Sequence, residues 1–213
     1  MQCKFKMVIT AALLISSVIS ASAITTVAGI SFQDDNAFAD TVVSSSGIYA
    51  LAGAATLPAA VTGSSLGKYA YSFSTGAYLQ MGFTDNYLVN GIGADLALFE
   101  IGLPDSFAVT INGTTLDYLS SATGYTGTGV TSGKEINVAE IDLSDFGIAL
   151  GTQLSSIMIG MDVLGNNGTT EPSLSVAGAL NSAPVNQAVP DAGSTISLLG
   201  TALLSFGLLK RKF

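Results

Sequence analysis

Apolar residues recur at every second position through segment after segment of this chain. Leu79, Met81 and Phe83 fall on one side of AYLQMGF while Tyr78 and Gln80 fall on the other; SFAVTI aligns Phe107, Val109 and Ile111, and SIMIGMDV aligns Ile157, Ile159, Met161 and Val163. A period of two matches the β-pleat, where successive side chains point to opposite faces, and does not suit a helix, whose period is about 3.6. DLALFEI (95–101) is apolar almost throughout, as expected of a strand near the centre of a sandwich. ITTVAGISF, YAYSF, TTLDYL, EINVAEIDL and SLSVAGAL are further strand candidates. Asn112-Gly113, between SFAVTI and TTLDYL, accepts the positive φ angles of a type I′ hairpin turn. Gly102-Leu103-Pro104-Asp105 and Asp85-Asn86 are further breaks, 143–147 reads as a short helical turn, and SSATGYTGTGVTSG (120–133) reads as a long surface connection. No amphipathic segment is longer than two helical turns. Short strands at about ten-residue spacing, with 24 glycines, predict an all-β protein, a single antiparallel β-sandwich over residues 24–183.

The two ends are of a different kind. Lys4 and Lys6 precede an apolar run from Met7 to Ile19, which is followed by Ala21-Ser22-Ala23. A basic start, an apolar stretch too short for a bilayer and an A-x-A site predict a secretory signal peptide over 1–23, cut after Ala23. Residues 184–195 form a linker that includes Pro190-Asp191-Ala192-Gly193-Ser194, and 196–209 are apolar. At ~1.5 Å per residue that segment reaches about 21 Å, short of the ~30 Å hydrocarbon core. The basic tail 210–213, with Lys210, Arg211 and Lys212, stays on the cytoplasmic side by the positive-inside rule.

This order of motif, apolar stretch and basic end resembles the VPDSG variant of the PEP-CTERM sorting signals, with Ala192 where that pattern usually has Ser. The resemblance implies that Pro190, Asp191, Gly193, Lys210, Arg211 and Lys212 form a signal for an exosortase, a membrane protease or transpeptidase often found alongside exopolysaccharide-export genes. It further implies secretion across the inner membrane, a transient membrane anchor formed by the short hydrophobic C-terminal helix, and display at the cell surface or outer membrane, or release into an extracellular, biofilm-type matrix.

Composition removes several function classes. The only cysteine, Cys3, lies in the signal peptide, so the mature chain has no disulfide or thiolate chemistry. Histidine is absent, which removes Ser-His-Asp catalysis and His-ligated metals. Between Ile24 and Val189, fourteen acidic residues against Lys68 and Lys134 leave a net charge of −12. Nucleic acid is thereby excluded as a partner, because phosphate contact needs a basic surface. Calcium, a hard cation that takes carboxylate and carbonyl oxygens, is the one candidate cofactor. Asp34, Asp35, Asn36 and Asp40 make the densest group of oxygen ligands and are the candidate metal site. Asp162 with Asn166, Asn167 and Gly168 departs from the EF-hand loop pattern and reads as a turn.

Tyr118 and Tyr125, at and within the Gly/Thr-rich connection, are candidate stacking residues for a sugar. Asp95 and Glu100 are an odd number of positions apart on one strand, so a regular pleat sends them to opposite faces, and nothing in the spacing nominates the carboxylate pair of a glycosidase. The segment from Gly82 to Leu119 has a second resemblance, to the body of secreted PEP-CTERM proteins, carried by Asp85-Asn86, 88–91, Gly93, Asp95-Leu96, 98–100, Gly102, 104–107, Val109 and 176–180. It implies a galactose-binding-like, jelly-roll sandwich of the kind found in carbohydrate-binding modules. The sequence departs from it at Ser173-Leu174-Ser175, where an acidic residue is usual. These readings predict an exported, non-enzymatic cell-surface or exopolysaccharide-matrix protein with carbohydrate or calcium as candidate ligands. The alternatives are a secreted carboxylate-dependent glycoside hydrolase or lyase, and a ligand-free surface-layer scaffold.

Overall fold

The computed structural model describes residues 24–162 and 171–185. The signal peptide with Ala21 and Ala23, the sorting region with Pro190, Asp191, Gly193, Lys210, Arg211 and Lys212, and the segment holding Val163, Asn166, Asn167 and Gly168 lie outside them. In chain order the elements are β1 (Thr25–Val27), β2 (Ile30–Phe32), β3 (Thr41–Ser46), β4 (Ala50–Ala52), α1 (Leu57–Val61), β5 (Tyr69–Tyr71), β6 (Tyr78–Gly82), β7 (Asn86–Val89), β8 (Leu96–Ile101), β9 (Ser106–Ile111), β10 (Thr114–Leu119), β11 (Ser121–Thr126), β12 (Glu135–Ile141), β13 (Gln153–Leu154), β14 (Ser156–Gly160), β15 (Leu174–Ala179) and β16 (Ser182–Pro184).

The protein is all-β, and its named strand pairs run antiparallel. A five-stranded sheet, in the order β10-β9-β14-β6-β3, packs on a six-stranded sheet, in the order β11-β12-β8-β15-β5-β4. The alternation read in the sequence places Phe107, Val109, Ile111, Leu79, Met81, Ile157 and Ile159 of the first sheet against Leu96, Leu98, Ile141, Leu174 and Ala177 of the second. Burying each large side chain contributes about 1.5–3 kcal/mol, so this face is the main hydrophobic stabilisation. The six-stranded sheet is covered on its other face too. There the β1-β2 hairpin and Phe38 lay Val27, Phe32 and Phe38 over Phe99, Ile101, Ile136, Val138 and Val176. Phe32 sits 4.7 Å from Phe38 and 6.2 Å from Phe99 between ring centroids. Double coverage explains why β8 is apolar at consecutive positions: all six of its residues are buried.

Asn112 and Gly113 turn between β9 and β10 with φ of 51° and 80°, the pair of positive angles expected of them. The helical turn at 143–147 is a 3-10 helix, Leu143–Phe146, opened by Asp142, whose carboxylate accepts from the Ser144 N–H, and closed by left-handed Gly147.

Three readings need correction. ITTVAGISF is a hairpin and not one strand, because Ala28 and Gly29 take φ of 45° and 83° and fold β1 back on β2. The 120–133 segment is not a long loop: β11 occupies 121–126 and pairs with β12, and a 3-10 turn follows at Gly129–Thr131. Thr and Tyr suit such an exposed edge strand, and a bulge between Ala122 and Tyr125, where Gly124 has φ of 80°, destroys the alternation that marks a strand in sequence. Asn86 does not break the chain but begins β7.

Candidate functional site

The outer aromatic face of β5 follows from three residues at period two. Ala70 points into the core, so Tyr69 and Tyr71 point away from it, and Phe73 continues the row two residues on. Tyr69 and Tyr71 stack with centroids 6.2 Å apart; Tyr71 meets Phe73 edge-on at 5.5 Å, and Phe73 is 70 % exposed. These rings line a groove of about 390 Å³ together with Asp105, Lys134 and Glu171. An adjoining groove of about 340 Å³ shares Tyr71 and Phe73 and is bounded by Ile48 and Tyr49. Both volumes lie within the ~300–1,000 Å³ common for small-molecule sites. Tyr49 is held in place by donating its hydroxyl to the carbonyls of Ser46 at 3.0 Å and Tyr78 at 2.7 Å. Burial, then Tyr78 and Asp162, push its pKa up to about 12.

The acidic wall of the larger groove rests on a buried network behind it. Asp105 closes the turn after β8; its N–H donates to Glu100 Oε2 at 2.9 Å and lies 3.1 Å from Ser120 Oγ. The Ser120 hydroxyl donates to the same Glu100 oxygen, while Glu100 Oε1 is buried without a hydrogen-bond partner. Burial pushes the Glu100 carboxyl up to about 8, against the two donors that favour its charged form, and the Asp105 carboxylate pushes the same way. Burial thus favours the protonated form of Glu100. Glu171 enters the groove from the far side of the sequence, at the foot of β15. One of its oxygens, Oε2, is buried without a hydrogen-bond partner, and burial followed by the charges of Asp162 and Asp105 holds its carboxyl above the usual range.

Asp95 and Glu100 serve separate networks. Asp95 accepts from the Gly91 N–H at 2.6 Å, the Leu143 N–H at 2.9 Å and Asn181 Nδ2 at 2.8 Å, which ties three loops together at the opposite end of β8.

The residues nominated from the sequence are distributed differently. Asp34 accepts from the Asn36 N–H at 2.9 Å and from the Ser182 hydroxyl at 3.0 Å, and Asp35 accepts from the Thr25 hydroxyl. Asp40 accepts from Thr84, through its hydroxyl at 2.6 Å and its N–H. Asp34 and Asp40 both lie near enough to Asp85 to add to the upward shift that burial imposes on it, whereas Asp35 turns to β1. Among the described residues, no group of three or more His, Cys, Asp or Glu side chains is gathered to hold a metal. Tyr118 and Tyr125 are not brought together. Tyr118 is on β10, at the edge of the five-stranded sheet, packed 6.0 Å from Phe146 and donating to Asp145 at 2.9 Å. Burial, then that hydrogen bond and charge, raise its pKa. Tyr125 is on β11, at the edge of the six-stranded sheet, where it covers Gly29 and borders a cavity of about 100 Å³, well below the ~300 Å³ of ordinary ligand sites.

Sequence reading missed the β5 groove although part of its signal was visible: YAYSF carries aromatic residues at every second position. The remaining wall comes from Asp105, Lys134 and Glu171, which lie about 30 to 100 residues away and share no motif. No helix among the described residues is long and apolar enough to cross a membrane. No curated protein and no solved structure matches the chain. Residues 188–213 match the family model for the VPDSG-CTERM motif. Such a signal implies export, processing by the membrane enzyme exosortase and association with the surface. The chain thus joins an antiparallel all-β body to a PEP-CTERM-type sorting signal of the VPDSG kind.

Proposed function

We propose that this protein is an exported, exosortase-processed, non-enzymatic component of the cell surface or exopolysaccharide matrix, and that it holds polysaccharide in the groove along β5. The observation that carries this reading is the row Tyr69, Tyr71 and Phe73, exposed beside carboxylate and ammonium side chains. Sugar rings offer apolar C–H faces to aromatic rings and hydroxyls to charged groups, and such a surface serves both. The two adjoining grooves share Tyr71 and Phe73, which suits a chain of sugars better than a single one. Weak contacts of this kind become retention when many copies meet one polymer.

A non-enzymatic role is supported by the position of Glu100, the most perturbed carboxyl near the groove. It is fully buried, its Oε2 accepts from Asp105 and Ser120, and it does not line the groove. The test is co-sedimentation of the mature chain with the producing cell's exopolysaccharide. Tyr71→Ala with Phe73→Ala removes two of the three rings of the row and is expected to weaken binding at least about tenfold, a loss of about 1.4 kcal/mol. Binding that survives this pair of substitutions overturns the reading. Release of new reducing ends that is lost in Glu171→Gln assigns the hydrolase instead.

A further inference from the structure

We propose that the groove along β5 selects sugars that carry a free amine, so that its ligand is a polymer containing unacetylated amino sugars; this inference rests on the polysaccharide reading above. The groove lining combines two carboxylates, Asp105 and Glu171, with one cation, Lys134. Asp162 adds a third negative charge close enough to act on Glu171. Glu171 holds one carboxylate oxygen buried in the wall without a donor. Crowded carboxylates of this kind repel one another, and a positive charge entering the groove lowers the energy of all three. A protonated sugar amine supplies that charge together with three N–H donors. The aromatic row favours the same group, because ring faces are negative and attract ammonium as well as sugar C–H faces.

Other sugar classes match the wall less well. A uronate would bring a further carboxylate against Asp105 and Glu171, with Lys134 as its single counter-charge. An acetamido sugar is neutral and leaves the repulsion as it was. The mature chain has a net charge of −12 and attracts any polycation at long range, so the test must separate the groove from the surface as a whole.

The experiment is calorimetric titration of the mature chain, at physiological salt and near-neutral pH, with a glucosamine oligomer, its fully N-acetylated counterpart of equal length and an oligouronate. The free-amine oligomer is expected to bind about tenfold tighter than the acetylated one and the oligouronate weakest. Glu171→Gln is expected to erase the preference for the amine, so that the free-amine and acetylated oligomers bind alike. Glu140→Gln, an equal loss of charge at an exposed position on β12, is expected to preserve it. Equal affinity for both oligomers, lost together in Tyr71→Ala with Phe73→Ala, overturns amine selection and leaves the polysaccharide reading intact. Equal loss in Glu140→Gln and Glu171→Gln reduces the effect to general polycation attraction and also overturns it. Absence of binding to all three oligomers overturns amine selection, and absence of binding to the cell's own exopolysaccharide as well removes the polysaccharide reading with it.

Discussion

Glu100 lies near the end of a strand whose six residues are all buried, and burial raises its carboxyl from an ordinary 4.5 to about 8. Between those two values the folded protein keeps a proton that the unfolded chain releases. Stability contributed by the neutral carboxyl is therefore complete below about pH 4.5, falls as pH rises through the window, and is gone above about 8. Glu100→Gln preserves the shape of the neutral form and removes its titration. Thermal unfolding across this window is expected to show a falling Tm in the natural protein and a flatter profile in Glu100→Gln, which becomes the more stable of the two at alkaline pH. Asp85 and Glu171, both raised by burial, keep a shallower slope of the same sign in the variant. Parallel profiles for the two proteins would show that Glu100 is ionised in the folded state. None of this is visible in LFEIG as a string: a lone Glu in an apolar run announces a cost, and its partners Asp105 and Ser120 become apparent only when the turn after β8 folds back beside it.

At the level of elements, β15 and the β1-β2 hairpin are matched through an absent side chain. Phe32 lies over Gly178, where a Cβ would come within 2.5 Å of its ring. Gly178→Ala is expected to displace Phe32 and destabilise the domain by about 1–3 kcal/mol, and Phe32→Ala by about 3–5 kcal/mol through the cavity it leaves. Combined, the two should cost clearly less than their sum, because the new methyl group enters the space that the ring vacated; denaturant unfolding of the four proteins measures the difference. Additive costs would mean that the hairpin does not rest on β15. Elements of five or six residues in which apolar positions alternate, such as β6, β9 and β14, were legible in the sequence because one buried face imposes the period. The strands β4, β7, β13 and β16, two to four residues long, are too short to display a period. At Ala28 the apolar alternation runs straight through a turn that lacks an Asn-Gly signature, and at Gly124 a bulge interrupts a real strand.

For the molecule as a whole, the body and the sorting signal divide the work: one supplies surfaces and the other an address. Replacing Pro190 and Asp191 together by alanine is expected to leave the precursor with its complete C-terminus, detected by intact mass, while the melting profile of the body stays the same. A processed product from this variant would show that the exosortase reads other residues. The body's first and last segments also meet. Gln33 Nε2 lies 3.4 Å from Asn181 Oδ1, and the Ser182 hydroxyl donates to Asp34 at 3.0 Å, so the domain is fastened shut by residues from both of its ends.

Strand β15 occupies the middle of the six-stranded sheet, between β8 and β5, yet it is supplied by residues 174–179. A chain threaded outward from its N-terminus consequently carries a gap at the heart of the sheet for most of its passage. Leu174, Val176 and Ala177, which join the hydrophobic clusters on both faces, arrive only when Ala179 is nine residues short of the sorting motif at 188. The six-stranded sheet is therefore expected to close only after nearly the whole body has emerged, and until then the facing edges of β8 and β5 stand unpaired.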